Sequence, residues 1–365
     1  MHDTIRPPIP GTMSGVVLTG FGGYDRLVWR DDLPVPVPGP GEVLVRVGAA
    51  GVNNTDINTR IGWYSKAVAA DTATGAETGF ADAQDDGWSG APFTFPRIQG
   101  ADAAGVIVAT GPGVPDARIG ARVLVEPVFP GADGTSRYFG SECDGGFARY
   151  AVVPSAQAHA IDCALGDAEL ASFPCAYSAA LNMLTRAGQG PGMRVLVTGA
   201  SGGVGSAAVQ LAHARGAHVW ALAAADKATA VMALGADRVV ARDADLIAAF
   251  GENSTDVVID VAGGAQFGAL LRVLRPGGAY AVAGAIAGPI VELDLRTLYL
   301  KDLGLHGCTV LGPGVFAELV GHIEAGRIRP LIAATYRLRD MARAQDDFLT
   351  KRHVGKIVLT HGGPD

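Results

Sequence analysis

The sequence predicts an α/β protein made of a compact β-rich domain and a doubly wound parallel-sheet domain, and three observations carry that prediction. Up to about residue 160, short β-branched runs alternate with Pro and Gly, as in "PVPVPGPGEVLVRV", "GVIVATGPGVPDARIGARVLVEP" and "GGFARYAVVP". Such punctuation marks short strands joined by tight turns. From about residue 166, apolar strands such as "MRVLVTG", "HVWALAA", "DVVIDVAGG" and "AYAVAGA" alternate with amphipathic helices, the pattern of a parallel sheet covered on both faces. After about residue 312 come a helix, "GVFAELVGHIEAG", a strand-like "IRPLIAATYRL", another helix and a closing "GKIVLT". So short a tail buries little surface alone, and it is expected to complete the first domain. The expected division is 1–165 together with 313–365, and 166–312.

At 365 residues and 48 % hydrophobic the chain is long enough for a sizeable core and about two domains. A net charge of -7, with no block of Lys or Arg, argues against nucleic acid or an anionic membrane as the main partner. The start "MHDTIRPPIPGTMSG" has neither a basic nor an apolar leader segment, and later apolar runs are broken before about 18 residues. A cytoplasmic protein that does not span a membrane is expected. The four cysteines, Cys143, Cys163, Cys175 and Cys308, form no CxxC pair and read as free thiols rather than a disulfide framework.

The segment "VLVTGASGGVGSAAVQLA" combines a strand, a turn with Ala200, Gly202 and Gly205 in AxGxxG spacing, and a helix. Gly202 lets backbone approach a pyrophosphate, and Gly205 lets helix and strand pack closely. The helix start turns free N–H groups and a positive dipole end toward the anion. Ala200, Ser201, Gly202, Gly203, Val204 and Gly205 are therefore expected to hold a dinucleotide; the alternative is a tight Gly turn without a ligand. The next strand, "HVWALAAADKA", lacks the acid that would bind a ribose 2′-hydroxyl, while Lys227 and Arg242 stand nearby. That favours a 2′-phosphate, hence NADPH (NADP), against a reading of both cations as solvated surface charges. "DVVIDVAGG" ends a strand where ligands sit in open α/β sheets, so Val261 to Gly264, with Val261 and Ala262 first, are expected beside the nicotinamide ribose; a plain Gly turn is equally consistent.

The succession "GVNNTD", "GADAAG", "DGGFARYAVVP", "VLVTGASGGVG" and "GKIVL" resembles the medium-chain dehydrogenase/reductase superfamily, and most closely its zinc-free quinone oxidoreductase and enoyl reductase branches. The resemblance covers nearly the whole chain outside residues 65–96. It implies a GroES-like catalytic domain, a Rossmann domain, a cleft between them, and homodimers formed through the edge strand near "GLHGCTVLG". The zinc-bearing members place a Cys at the position of Asn53 and a His at that of Ala101; Cys175 stands at the third ligand position. One thiol does not make a catalytic zinc site, and the region matching the structural zinc lobe holds Cys143 alone. No metal is expected.

Without a metal, hydrogen-bond donors must meet the negative charge that develops on substrate oxygen. "GVNNTDINTRIGWY" offers Asn53, Asn54, Thr55 and Tyr64, and a Tyr with a pKa of about 10 carries its proton near pH 7. Tyr64 and Asn53 are the candidate catalytic residues. The spacing resembles that of zinc-free enoyl thioester reductases, whose Tyr at this position assists reduction. The competing reading is that Asn53, Asn54 and Asp56 cap a short helix and Tyr64 packs on its end; for Asp102 a role as a buried strut is expected. Residues 65–96 lack a period and form either a lid over the cleft or a surface insertion, with Trp88, Phe93 and Phe95 favouring a lid. The expected activity is NADPH-dependent, zinc-free hydride transfer to a quinone or an activated C=C bond of a small-molecule substrate. Carbonyl reduction without zinc, or a non-catalytic NADPH-binding sensor, are the alternatives.

Overall fold

The computed structural model describes residues 8–84, 87–131 and 134–362. In chain order the first strands are β1 (Thr12–Leu18), β2 (Leu27–Pro34), β3 (Glu42–Gly51), β4 (Arg97–Ile98), β5 (Ala104–Thr110) and β6 (Arg122–Val125). They are followed by β7 (Val128–Pro130), β8 (Ser136–Tyr138), β9 (Tyr150–Pro154) and β10 (Ala158–Ala160). The parallel region supplies β11 (Arg194–Val197), β12 (His218–Ala223), β13 (Arg238–Ala241), β14 (Thr255–Asp260), β15 (Leu274–Val282) and β16 (Gly304–Gly307). Two strands follow, β17 (Ile332–Arg337) and β18 (Lys356–Thr360).

β3 is the axis of the β-rich part. It is antiparallel to β5, β9 and β18, and β17 runs parallel to β18. Neighbours surround it, which is why "VLV" and "GAAG" in β3 are buried almost without alternation. The register sets Val358 opposite Gly51 and Leu359 opposite Ala50, so a segment from the far end of the sequence lies against β3 just before the "NNTD" cluster.

The parallel sheet has the order β13-β12-β11-β14-β15-β16, with every pairing parallel. Its inner strands are short apolar runs; in β11, Val195, Leu196 and Val197 are all fully buried. Helices α1 (Asn54–Ile61), α2 (Asp167–Leu170), α3 (Pro174–Arg186) and α4 (Gly203–Ala214) matter most for the site. The core joins α3 and α4 to β11 and to the later helix Val315–Glu324 through Leu181, Ala208, Leu211 and Phe316. No helix among the described residues is long and apolar enough to cross a membrane.

Candidate active site

β11 leads into a turn whose backbone leaves little choice of residue. Gly199 has φ of +55°, in the left-handed region, and a Cβ on Gly205 would lie 2.2 Å from the Gly199 carbonyl oxygen. Only glycine fits there. Ala200 is fully buried and donates its N–H to Leu222 O at 3.1 Å. Gly202 differs: it is the extended N-cap of α4, and the nearest atom to its would-be Cβ is 3.4 Å away. The protein alone has room for a methyl group at Gly202. The N–H groups of the first turn of α4, from Gly203 through Val204 and Gly205, have no intrahelical acceptors, so this end suits an anion.

A second loop is tied to that turn through a buried carboxylate. Asp260 accepts hydrogen bonds from Thr198 Oγ1 and Tyr280 OH, both at 2.5 Å, and from the N–H groups of Ala262 and Gly263 at 2.9 and 3.1 Å. Thr198 Oγ1 in turn accepts from Val261 N–H at 3.0 Å. Val261 and Ala262 therefore lie beside the glycine-rich turn. Lys227 and Arg242 follow the ends of β12 and β13 on the same edge of the sheet. Arg242 is exposed, while Lys227 donates its ammonium to the carbonyl oxygens of Lys351 and His353, and burial lowers its pKa.

Asn53 caps α1, and its neighbours form a buried polar cluster. Its N–H donates to Asp56 Oδ2 at 2.8 Å, while its amide nitrogen donates to Asp102 Oδ2 at 2.8 Å and Gly51 O at 3.3 Å. Its amide oxygen accepts from the ammonium of Lys356, which also meets Asp102 Oδ2 at 2.8 Å. The Lys356 side chain is 3 % exposed and that of Asp102 is fully buried. Asp102 Oδ1 accepts from Cys175 N–H at 2.6 Å, so Asp102 is indeed a buried strut. Burial, reinforced by Asp102, pushes the Asp56 carboxyl up to about 7 against the backbone hydrogen bonds that favour its charged form.

Tyr64 stands over this cluster at the C-terminal end of α1. Its hydroxyl donates to Thr55 Oγ1 at 3.0 Å, and burial pushes its pKa up to about 12. Tyr138 is a second phenol nearby: its hydroxyl meets Cys175 Sγ at 3.1 Å, and burial pushes the Cys175 thiol up to about 12. Trp88 packs on Tyr138 with ring centroids 4.6 Å apart. The remaining aromatic side chains of residues 65–96 pack inward, Phe93 and Phe95 forming a trio with Phe21. Thr72, from the same insertion, donates its N–H to Ile286 O beyond β15 at 3.3 Å and its hydroxyl to Asn58 Oδ1 at 3.1 Å. The insertion thus touches both halves of the molecule.

The structure gathers Ala200, Ser201, Gly202, Gly203, Val204 and Gly205 with Val261 and Ala262, and Asn53 with Tyr64's helix. Lys356 bridges the two groups: its stem passes 3.0 Å from where a Gly203 Cβ would be, and Gly355 N–H donates to Ser201 O at 3.0 Å. Sequence reasoning passed over Lys356, whose signal was a lone Lys in the apolar strand "GKIVLT", and over Tyr138. A cavity of about 640 Å³ lined by Met13, Val17, Leu33, Phe129 and Tyr150 includes none of these site residues.

Residues 39–162 match the family profile described as "Alcohol dehydrogenase GroES-like domain", and residues 203–325 the one described as "Zinc-binding dehydrogenase". A provisionally assigned alcohol dehydrogenase of Sinorhizobium meliloti 1021, solved by crystallography, is 45 % identical with a TM-score of 0.86, over 96 % of this chain and 97 % of that one. The chain belongs to the medium-chain dehydrogenase/reductase superfamily. It joins a GroES-like domain to a Rossmann-like one and is an oxidoreductase that works with a nicotinamide cofactor. Other members of the superfamily include the quinone oxidoreductase of Lama guanicoe, 28 % identical over 95 % of this chain and 97 % of its own. The acryloyl-coenzyme A reductase of Metallosphaera sedula is 28 % identical over 95 % of this chain and all of its own.

The zinc named by one profile is not matched by the donors present. Of the three positions that the superfamily's zinc members use, Ala101 has no donor atom, the Asn53 oxygen is taken by the Lys356 ammonium, and Cys175 is left as a single thiol. Among the described residues no group of three or more His, Cys, Asp or Glu side chains is arranged to hold a metal ion. These residues do not fit a zinc ion.

Proposed function

We propose that this protein is an NADPH-dependent, zinc-free reductase that delivers hydride to a quinone or to the activated C=C bond of an enone or 2-enoyl thioester. The observation that carries the reading is Tyr64: a phenol held in its protonated form, with a pKa of about 12, next to a donor set that does not suit a metal. The quinone and acryloyl-CoA reductase relatives support the same class of acceptor. A delocalised enolate or hydroquinone oxygen needs less stabilisation than an alkoxide, so carbonyl reduction without a Lewis acid is the less favoured reading.

In this mechanism the bound nicotinamide supplies the hydride, and the chain's own residues do the rest. Ala200, Ser201 and Gly202 shape the turn so that the N–H groups of the first turn of α4, from Gly203 to Gly205, would meet the pyrophosphate, and Val261 and Ala262, fixed by Asp260, would border the ribose. Lys227 and Arg242 supply the positive field for a 2′-phosphate. Tyr64 donates its hydrogen bond, and then its proton, to the acceptor oxygen, with Thr55 accepting from the phenol beforehand. Asn53 acts from below, keeping the Asp102–Lys356 pair in register under the acceptor. The cleft lies between residues 1–165 with 313–365 on one side and 166–312 on the other, and the enzyme works in the cytoplasm.

The partner is a second copy of the chain. β16 is the edge of the parallel sheet, and Leu305 on it and Tyr299 and Leu300 before it are exposed, an edge that pairing would cover. Sedimentation at micromolar concentration should give twice the chain mass, and a monomer there would refute the dimer.

The reductase reading is tested by following NADPH oxidation with a 2-enoyl thioester, a simple enone and a 1,4-quinone, comparing wild type with Tyr64→Phe. The expected result is turnover of at least one acceptor and a loss of about tenfold or more in kcat/KM, roughly 1.4 kcal/mol of transition-state stabilisation. Turnover untouched by the substitution would remove Tyr64 from the chemistry.

A further inference from the structure

We propose that Trp88 sets the size of the acceptor, and that the acceptor is a small, flat, uncharged conjugated carbonyl compound lying against its indole. This rests on the reductase reading and deepens it. Trp88 comes from the insertion at residues 65–96, yet it packs on Tyr138 as a tilted pair, with centroids 4.6 Å apart and planes at 30°. The same apolar patch includes Ala101, Val128, Cys175 and Leu311. Leu311 follows β16, so the patch spans both halves of the protein where they face each other.

The indole is held in place. Ser89 N–H donates to Glu142 Oε1 at 3.0 Å, and Glu142 Oε2 accepts from Tyr138 N–H at 2.9 Å. One carboxylate therefore pins the turn carrying Trp88 to the strand carrying Tyr138. Within that turn Gly87 N–H donates to Ala91 O at 2.7 Å and Gly90 N–H to Gly87 O at 3.0 Å. A ring that packs on Tyr138 and is carried by a turn pinned in this way acts as a wall, and a wall selects by size.

The chemistry of the patch selects as well. Burial favours the neutral forms of the Tyr64 and Tyr138 phenols, and the charges around the patch are already engaged: Glu142 by the N–H groups of Ser89 and Tyr138, and Lys356 and Asp102 by each other at 2.8 Å. An acceptor carrying charge at its reacting end would lose hydration without gaining a partner. A planar conjugated system can instead stack on the indole and present its oxygen to the phenols.

The test uses a series of straight-chain enones from but-3-en-2-one to non-3-en-2-one, with wild type, Trp88→Ala and Trp88→Phe. In wild type kcat/KM should fall as the chain lengthens. Trp88→Ala should favour the longest member over the shortest by about tenfold relative to wild type, with KM for NADPH unchanged, and Trp88→Phe should keep the wild-type ranking. Calorimetric binding of the corresponding saturated ketones to the NADP-loaded proteins provides an independent reading. A size shift in binding without reduction of any enone keeps Trp88 as the selector and removes the reductase reading. Reduction with all chain lengths scaled alike by Trp88→Ala removes Trp88 and leaves that reading standing. Trp88→Leu carries the same comparison if the alanine variant does not fold.

Discussion

The glycine-rich turn and the cluster around Asn53 lie on either side of Lys356, and they are built in opposite ways. At the turn the backbone is the working part: Gly199 and Gly205 are fixed by φ and by close approach, and no side chain is needed to present N–H groups. In the cluster the backbone is ordinary helix start, and everything depends on how Asn53, Asp56, Asp102 and Lys356 share protons and charge. A backbone site tolerates changes of charge and fails on a methyl group. A charge network tolerates changes of shape and fails on the loss of one member.

Lys356→Met should break the comparison most severely. It leaves Asp102 buried without its cation, and a loss of about 3–5 kcal/mol is expected in denaturant unfolding. Adding Asp102→Asn should recover part of it, whereas a double variant no better than the single one would show that the pair is not the source.

The next effect belongs to Asp56 and depends on pH. Burial raises the folded carboxyl from its ordinary 3.8 to about 7. Its contribution is therefore fully present below about pH 4 and is lost as the pH rises toward 7, by roughly 2–4 kcal/mol. Asp56→Asn should give a lower but flatter profile of unfolding free energy over that window; an unchanged slope would assign the pH dependence to another group.

The turn is sharpened by two alanines. Gly205→Ala should cost about 1–3 kcal/mol by overpacking and abolish cofactor binding. Gly202→Ala, with 3.4 Å of room, should leave the melting temperature unchanged and weaken the cofactor by about tenfold. Equal effects at the two positions would mean that Gly202 serves the fold and not a ligand.

The smallest effect is expected at Arg242, which is exposed. Arg242→Gln should raise KM for NADPH about fivefold, close to 1 kcal/mol, and leave KM for NADH alone. An equal change for both would place Arg242 away from the 2′-phosphate.

The same contrast explains what the sequence made legible. The turn was readable because glycine spacing between a strand and a helix is a local signal, and local geometry is what makes those glycines necessary. Asn53 and Tyr64 could be singled out as a cluster for the same reason, since both lie on or beside one short helix. Their pairing could not be read: Asp102 and Cys175 could be marked one at a time, but nothing local joins them to Asn53, and Lys356 looks like any strand residue until β18 is paired with β3. Trp88 was visible only as one aromatic in a segment without a period, because its meaning depends on Tyr138, a residue from another loop.

The placement of β18 beside β3 also orders events during synthesis. β3 and Asp102 leave the ribosome well before the parallel sheet is made, and Lys356 follows only after that sheet is complete. Through that interval part of the β3 edge has no partner strand and the Asp102 carboxylate has no ammonium, so the β-rich half begins first and is finished last. A nascent chain stalled before residue 356 would carry a formed nucleotide-binding half beside an open sheet edge, the form most exposed to mispairing and to chaperone capture.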